Sequence, residues 1–328
     1  MVALGAALVI GISVGSVYIS PRVVWESLLG HGEGTSAVIV NDIRLPRVMV
    51  GVMVGASLAM SGAILQGITR NPLADPHIFG ISAGAALVAV SFIVLLPAVA
   101  NEQVDVSPGG THLMTLNIVQ PLSLLGGLVG GGLAYLMAWR GGVSPVRLAL
   151  AGIAVTSMLT AITSGILVTS AFSAQIGLRW LIGGLSQRNV NDVHALIPYF
   201  VVGSVVALVM ARQVNVIALG DEVATSLGQH VERTRFLLAA TAALLASAAV
   251  SIAGLIGFLG LIIPHFVRLV LGNDYRIIIP ASAVFGAILL VLADTVARTA
   301  FDPQELPVGV LTAVMGGPVF ILLVRSRA

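Results

Sequence analysis

Six histidines and fourteen carboxylates are the groups in this sequence that could do acid–base or metal chemistry, and their spacing favours neither. The histidines (His31, His77, His112, His194, His230, His265) stand apart from one another, so no local pair has metal-ligand spacing. Cysteine is absent, which removes thiolate ligands and disulfides together. There is no carboxylate pair inside an apolar stretch, no nucleophile elbow and no phosphate loop with its lysine. The chain is therefore read as something other than an enzyme, with no cofactor or metal of its own.

Four polar constellations remain. Leu219-Gly220-Asp221-Glu222-Val223-Ala224-Thr225-Ser226-Leu227-Gly228 puts two carboxylates where a helix's first turn favours them and a glycine where a helix stops. It reads either as one or two turns of surface helix or as a solvated loop. Gln66 to Pro76, with Pro72, Asp75 and Pro76, reads as a rigid turn, and the small residues from Gly80 to Ala85 allow close helix approach beyond it. His265 and Arg268 fall late in an apolar run, where an ionisable group is a functional candidate by default. Packing is the favoured reading of His265, and Arg268 can snorkel to the interface. Asp294 and Arg298, four residues apart, can pair with each other.

The elements that must position these groups are membrane helices. Of 328 residues, 57% are hydrophobic and 9% charged, and the mean hydropathy of +1.04 places the chain in the membrane class. Segments of about 20 apolar residues are needed to cross the hydrocarbon core as helix. Ten are expected: Val2–Ile19, Pro46–Gln66, Ile78–Val99, Ile118–Ala138, Leu148–Thr169, His194–Ala211, Phe236–Ala253, Leu255–Leu271, Ile277–Ala297 and Leu306–Val324. Phe236 to Leu271 is one apolar run, too long for a single crossing, and Gly254 and Gly257 mark the expected turn. The fold class is an all-α polytopic membrane protein, a single transmembrane domain over 1–328.

All 16 basic residues are arginines, too few and too scattered for a nucleic-acid footprint. One set of connections collects Arg70, Arg140, Arg147, Arg212, Arg233, Arg235, Arg268, Arg276, Arg325 and Arg327; the other holds Arg22, Arg44, Arg47, Arg179, Arg188 and Arg298. The positive-inside rule assigns the first set, with both termini, to the cytoplasm of an inner-membrane protein. The first span has no basic flank, which fits either a signal peptide or a trimmed cytoplasmic segment. Ala171–Asp192 then reads as a short external re-entrant or interfacial helix, and the segment of approximately 213–235 as the largest cytoplasmic polar block.

Seven stretches in order resemble the permease subunit of type II ABC importers, the family that carries ferric siderophores, haem and cobalamin. They are Arg44-Leu45-Pro46-Arg47; Asn71-Pro72-Leu73-Ala74-Asp75-Pro76; Trp180 to Leu185; Leu219 to Gly228; Gly257 to Arg268; Ala293 to Arg298; and Glu305 to Gly309. The resemblance implies a homodimer with the path on its axis, two ABC ATPase subunits that hold ATP and Mg, and a periplasmic substrate-binding protein. It implies a coupling helix at Leu219, Gly220, Asp221, Glu222, Ala224, Leu227 and Gly228, and a docking rim of Arg44, Arg47 and Arg298. By position it implies a path along Thr163, Ser164, Thr169, Ser170, Ser173 and Gln175, and a cytoplasmic gate at Val143 and Ser144. The expected cargo is a ferric siderophore, then haem, then cobalamin. The siderophore preference rests on Gly177-Leu178-Arg179-Trp180. An ATP-independent secondary transporter is the rival class; it needs an intramembrane carboxylate for ion coupling, and no mid-span Asp or Glu is expected here.

Overall fold

The computed structural model describes residues 2–100, 103–105, 115–169, 171–301 and 304–325. Its axis is α4 (Leu45–Thr69), which is buried along almost its whole length. A short helix α3 (Gly34–Val38) and a π-helical turn, Ile39–Arg44, run straight into it, making a 36-residue helix from Gly34 to Thr69. Around α4 pack α10 (Val190–Val209), α13 (Val231–Ala253), α14 (Leu259–Leu271) and α15 (Tyr275–Ala297). Glycine sets the approach. A Cβ at Gly62 would sit 2.0 Å from the Gly260 carbonyl oxygen, and one at Gly55 would sit 2.3 Å from that of Gly286, so only glycine permits these crossings.

A second group consists of α5 (Ile81–Leu95), α7 (Val119–Ala138) and α8 (Pro145–Val168), with α5 and α7 again joined backbone to backbone. With α1 (Val2–Ser13) and α16 (Val308–Arg325), these make ten apolar helices at the expected positions. Six are long enough to span and four are shorter, namely α1, α5, α14 and α16. The remaining elements are small: α2 (Pro21–Leu28), α6 (Pro97–Ala100), α9 (Ala171–Ile182), α11 (Ala211–Ala218), α12 (Asp221–Ser226) and a two-stranded antiparallel ribbon, β1 (Gln103–Asp105) with β2 (Thr115–Asn117).

Three expectations change. Helix α1 ends at Ser13 rather than reaching Ile19, because the Arg44 guanidinium takes up the Ile12, Ser13 and Val17 carbonyls and so closes the chain on itself. The turn between α13 and α14 uses Gly254 (φ +69°) as expected, but its second left-handed residue is Phe258 (φ +69°), not Gly257. The connection from Asn71 to Gly80, expected only as a rigid turn, folds inward. Its 3₁₀ turn, Pro76–Phe79, lies on α8 at Gly152 and Thr156, where a Cβ on Gly152 would come 2.6 Å from the Ile78 carbonyl oxygen. Helix α8 has 24 residues. At 1.5 Å per residue Thr156 is roughly 16 Å along a helix of roughly 36 Å, so this connection reaches mid-depth.

Candidate functional site

Helix α12 is a six-residue element at one end of the bundle, held by its underside. Gly220 (φ +117°) turns the chain into it, Ala224 is fully buried beneath it, and Gly228 (φ +80°) leads out after the C-cap residue Leu227. The exposed side carries Glu222 and three apolar residues: Val223 on the helix, Leu227 one turn on at its C-cap, and Leu219 at the end of α11 just before the Gly220 turn, exposed by 46, 65 and 65%. This apolar ridge lies at the end of the bundle where Arg70 follows α4. An apolar ridge in water marks a contact surface.

Asp221 anchors the helix. Its Oδ1 accepts from Arg235 Nη2 at 2.7 Å and from Arg70 Nη2 at 3.1 Å. Arg235 is completely buried in the first turns of α13, and its Nη1 donates to the Val143 carbonyl at 2.6 Å and to Glu232 at 3.0 Å. Glu232 in turn accepts from the Val143 N–H at 3.1 Å. One guanidinium therefore joins α12, α13 and the loop at Val143. Ser144 is the N-cap of α8, its hydroxyl accepting from the Arg147 N–H. The expected coupling and gate residues, far apart in sequence, thus meet at Arg235.

The opposite end holds Arg44, Arg47 and Arg298, and there the observed arrangement differs from an exposed rim. All three are buried. Arg44 serves backbone carbonyls, and Arg298 donates to the Gly11 carbonyl, tying α15 to α1. Arg47 makes a bidentate pair with Asp294 at 2.8 and 2.9 Å and reaches Glu305 at 2.9 Å. Asp294 therefore pairs with Arg47 and not with Arg298 as its spacing suggested. The pairing follows from burial: two fork-shaped bonds satisfy a carboxylate better than one helix neighbour can. Glu305, its side chain 41% exposed, also accepts from Ser186. Nearby, Asp192 completes the capping box of α10 and accepts from Gln120. Burial lowers the Arg188 pKa below its usual value, opposed by Asp192 at 3.7 Å.

The expected path residues divide. Helix α8 buries one stripe, Leu148, Gly152, Val155, Leu159 and Thr163. Thr163 thus faces its neighbours, its hydroxyl bound to the Leu159 carbonyl. Ser164, Thr169 and Gln175 are exposed; Ser170 and the Ser173 side chain lie outside the described residues. Ser157 and Thr160, absent from the expected set, are exposed and lie within about 60° of Ser164 around the helix. Their i, i+3, i+7 spacing was readable in the sequence. His265 is half-buried, and Arg268 bonds Gln66 and stacks on Tyr275 rather than snorkelling away.

A family model described as the FecCD transport family matches residues 3–326. The chain belongs to the FecCD transport family. It is a multi-pass ABC-importer permease subunit. A cobalamin import permease from Halobacterium salinarum is 47% identical over 89% of this chain and 75% of its own length. An Fe(3+)-citrate import permease from Bacillus subtilis is 42% identical over 88% of this chain and 81% of its own, and an iron(3+)-hydroxamate permease from the same organism is 41% identical over 100 and 81%. A solved structure described as an inward-facing conformation of a putative metal-chelate type ABC transporter superposes with a TM-score of 0.83, covering 99% of this chain and 97% of that one at 27% identity. Within this FecCD chain, Arg235, Glu232 and Val223 fall inside the expected polar block of approximately 213–235 but not among the residues singled out in it. Arg235 looked like one of ten orienting charges, and only its burial distinguishes it.

Proposed function

We propose that this FecCD permease works as a homodimer that imports a metal chelate, driven by two separate ABC ATPase subunits seated on α12 and supplied by an extracytoplasmic binding protein at the opposite end. The α12 end, with both termini, faces the cytoplasm. The observation that carries this reading is the exposed Leu219–Val223–Leu227 ridge on a helix whose anchor, Asp221, shares Arg235 with the Val143 carbonyl. An ATPase that closes against the ridge moves α12. Arg235 passes that movement to the loop at Val143 and to the N-cap of α8, the helix with the hydroxyl stripe Ser157, Thr160 and Ser164. Val143 and Ser144 thereby act as the cytoplasmic gate. At the other end, a binding-protein carboxylate competes with Glu305 for Arg47, while Arg44 and Arg298 hold the surface on which it docks.

The cargo class is a ferric chelate. Ferric-citrate and ferric-hydroxamate permeases among the relatives support it, and the cobalamin permease at 47% identity makes cobalamin the second reading. Few charges are needed along the path, since a tight site would hold the cargo. The test is uptake of ferric citrate, a ferric hydroxamate and cobalamin into proteoliposomes carrying the co-expressed complex. Uptake of one of them that depends on internal ATP is expected. ATP-independent uptake, or a complex that never retains an ATPase, overturns the reading.

A further inference from the structure

The Asn71–Gly80 connection brings an ionisable pair, Asp75 and His77, to mid-depth of the bundle, where such groups are costly unless they serve a function. Asp75 is buried. Its Oδ1 accepts from the His77 N–H at 2.9 Å and lies 3.0 Å from His77 Nδ1. Its Oδ2, without a hydrogen-bond partner, lies at the N-terminal end of α14, where a Cβ on Gly260 would be 3.2 Å away. The positive end of that helix dipole attracts the carboxylate's charge. Beside an acceptor-only carboxylate the ring proton sits on Nδ1, which donates to Asp75 Oδ1 and leaves the Nε2 lone pair on the other side of the ring as an acceptor.

That side is not packed away. The His77 side chain is 30% exposed, and the residue beside Nε2 is Gly257, which has no side chain to cover it. The His77 carbonyl accepts from Thr156 Oγ1, so the His77 backbone rests on α8 at the residue that precedes Ser157 of the hydroxyl stripe. On the other flank, the Phe258 ring packs on Gly316 of α16. A partly exposed imidazole held by a buried carboxylate suits water and polar cargo rather than lipid tails.

We infer that His77 is a cargo-contacting residue of the path, its Nε2 accepting a hydrogen bond from N–H or O–H groups of the passing chelate, with Asp75 as the positioning residue that fixes the ring. One neutral contact of this kind orients a bulky polar cargo without trapping it. The inference rests on the importer reading above.

The absence of cysteine provides the test. His77→Cys introduces a single thiol in the full complex, to be challenged with a charged, membrane-impermeant thiol reagent with and without ferric citrate, ferric hydroxamate or cobalamin. Labelling that at least one chelate slows several-fold is expected, while Val129→Cys, on an exposed apolar face of α7, stays unlabelled. A thiol at 77 that resists the reagent, or reacts equally with every chelate present, overturns the assignment. If His77→Cys does not assemble, His77→Gln and Asp75→Asn decide. Uptake lower by roughly three- to tenfold, with a changed order of preference among the chelates and ATP hydrolysis retained, supports the contact. Unchanged rates and preference refute it. Uptake by the unmodified complex is measured first, so that failure of the importer reading shows there and not in the variants.

Discussion

Arg235 Nη2 lies 2.7 Å from Asp221 Oδ1, and the other arm of the same guanidinium holds the Val143 carbonyl at 2.6 Å. Helix α12 and the loop before α8 are therefore joined through one side chain. Replacing Arg235 with Gln removes that joint but does not strand a buried charge, since Glu232 and Asp221 each keep about two fifths of their side chains exposed. The cost in stability is about 1–3 kcal/mol, from the Val143 carbonyl and its neighbours losing a donor. ATP hydrolysis is expected to continue while transport falls, measured as the ratio of chelate delivered to ATP consumed. An unchanged ratio refutes transmission through Arg235.

The apolar ridge gives a cleaner separation of folding from contact. Leu219→Ser, Val223→Ser and Leu227→Ser together alter exposed positions only, so the thermal midpoint should move little. Copurification of the ATPase should be lost. Retention of the ATPase by the triple variant moves the docking surface elsewhere. Glu222→Ala with Leu227→Ala, a milder pair, should uncouple hydrolysis from transport in a permease that remains folded.

At the other end, Arg47→Ala leaves Asp294 buried without its charge partner, a change that costs roughly 3–5 kcal/mol. Arg47→Lys recovers only part of this, because an ammonium cannot make the two parallel bonds. Glu305→Gln is the informative substitution for docking. It frees one arm of Arg47 at a half-exposed position, so binding-protein affinity at low salt should rise and become more salt-sensitive. Affinity that is indifferent to both Glu305→Gln and Arg298→Glu would remove this cluster from the docking surface.

Helix α8 offers a matched pair. Ser164→Phe projects from the exposed stripe and should slow chelate uptake with little effect on assembly, whereas Thr163→Val alters a hydroxyl that serves only the Leu159 carbonyl and should leave uptake intact. Equal effects of the two on transport would mean that the stripe does not line the path.

A pH effect is expected at the α12 end. Asp274 is held below the usual carboxylate range by the Asn215 side-chain donor and by the Arg276 N–H, and it caps α15. A depressed carboxylate contributes stability above the ordinary carboxylate range, and that contribution is lost as pH falls through the folded-state value. Asn215→Ala should therefore bring the onset of acid unfolding to higher pH in a stability titration. Superimposable acid limbs would show that the bond carries no weight.

Composition and period alone determined that this chain is a bundle of ten apolar helices, because a 20-residue apolar run has no alternative in water. The helix at Asp221, the stop at Gly228 and the left-handed turn at Gly254 were also legible, since acidic first turns and glycine stops are local chemistry. Tertiary structure decided the rest. Arg235, Arg44 and Arg47 read as surface charges until burial showed them bonded across the fold, and Asp294 exchanged its helix neighbour for a partner in α4. The Asn71–Gly80 connection read as a rigid turn, and nothing local signals its depth. Only glycine-mediated packing against α8 and α14 draws it in, and with it Asp75 and His77, to the level of Thr156 on α8. Spacing along a chain specifies which groups share a helix face; which of those faces meet depends on contacts between residues far apart in sequence.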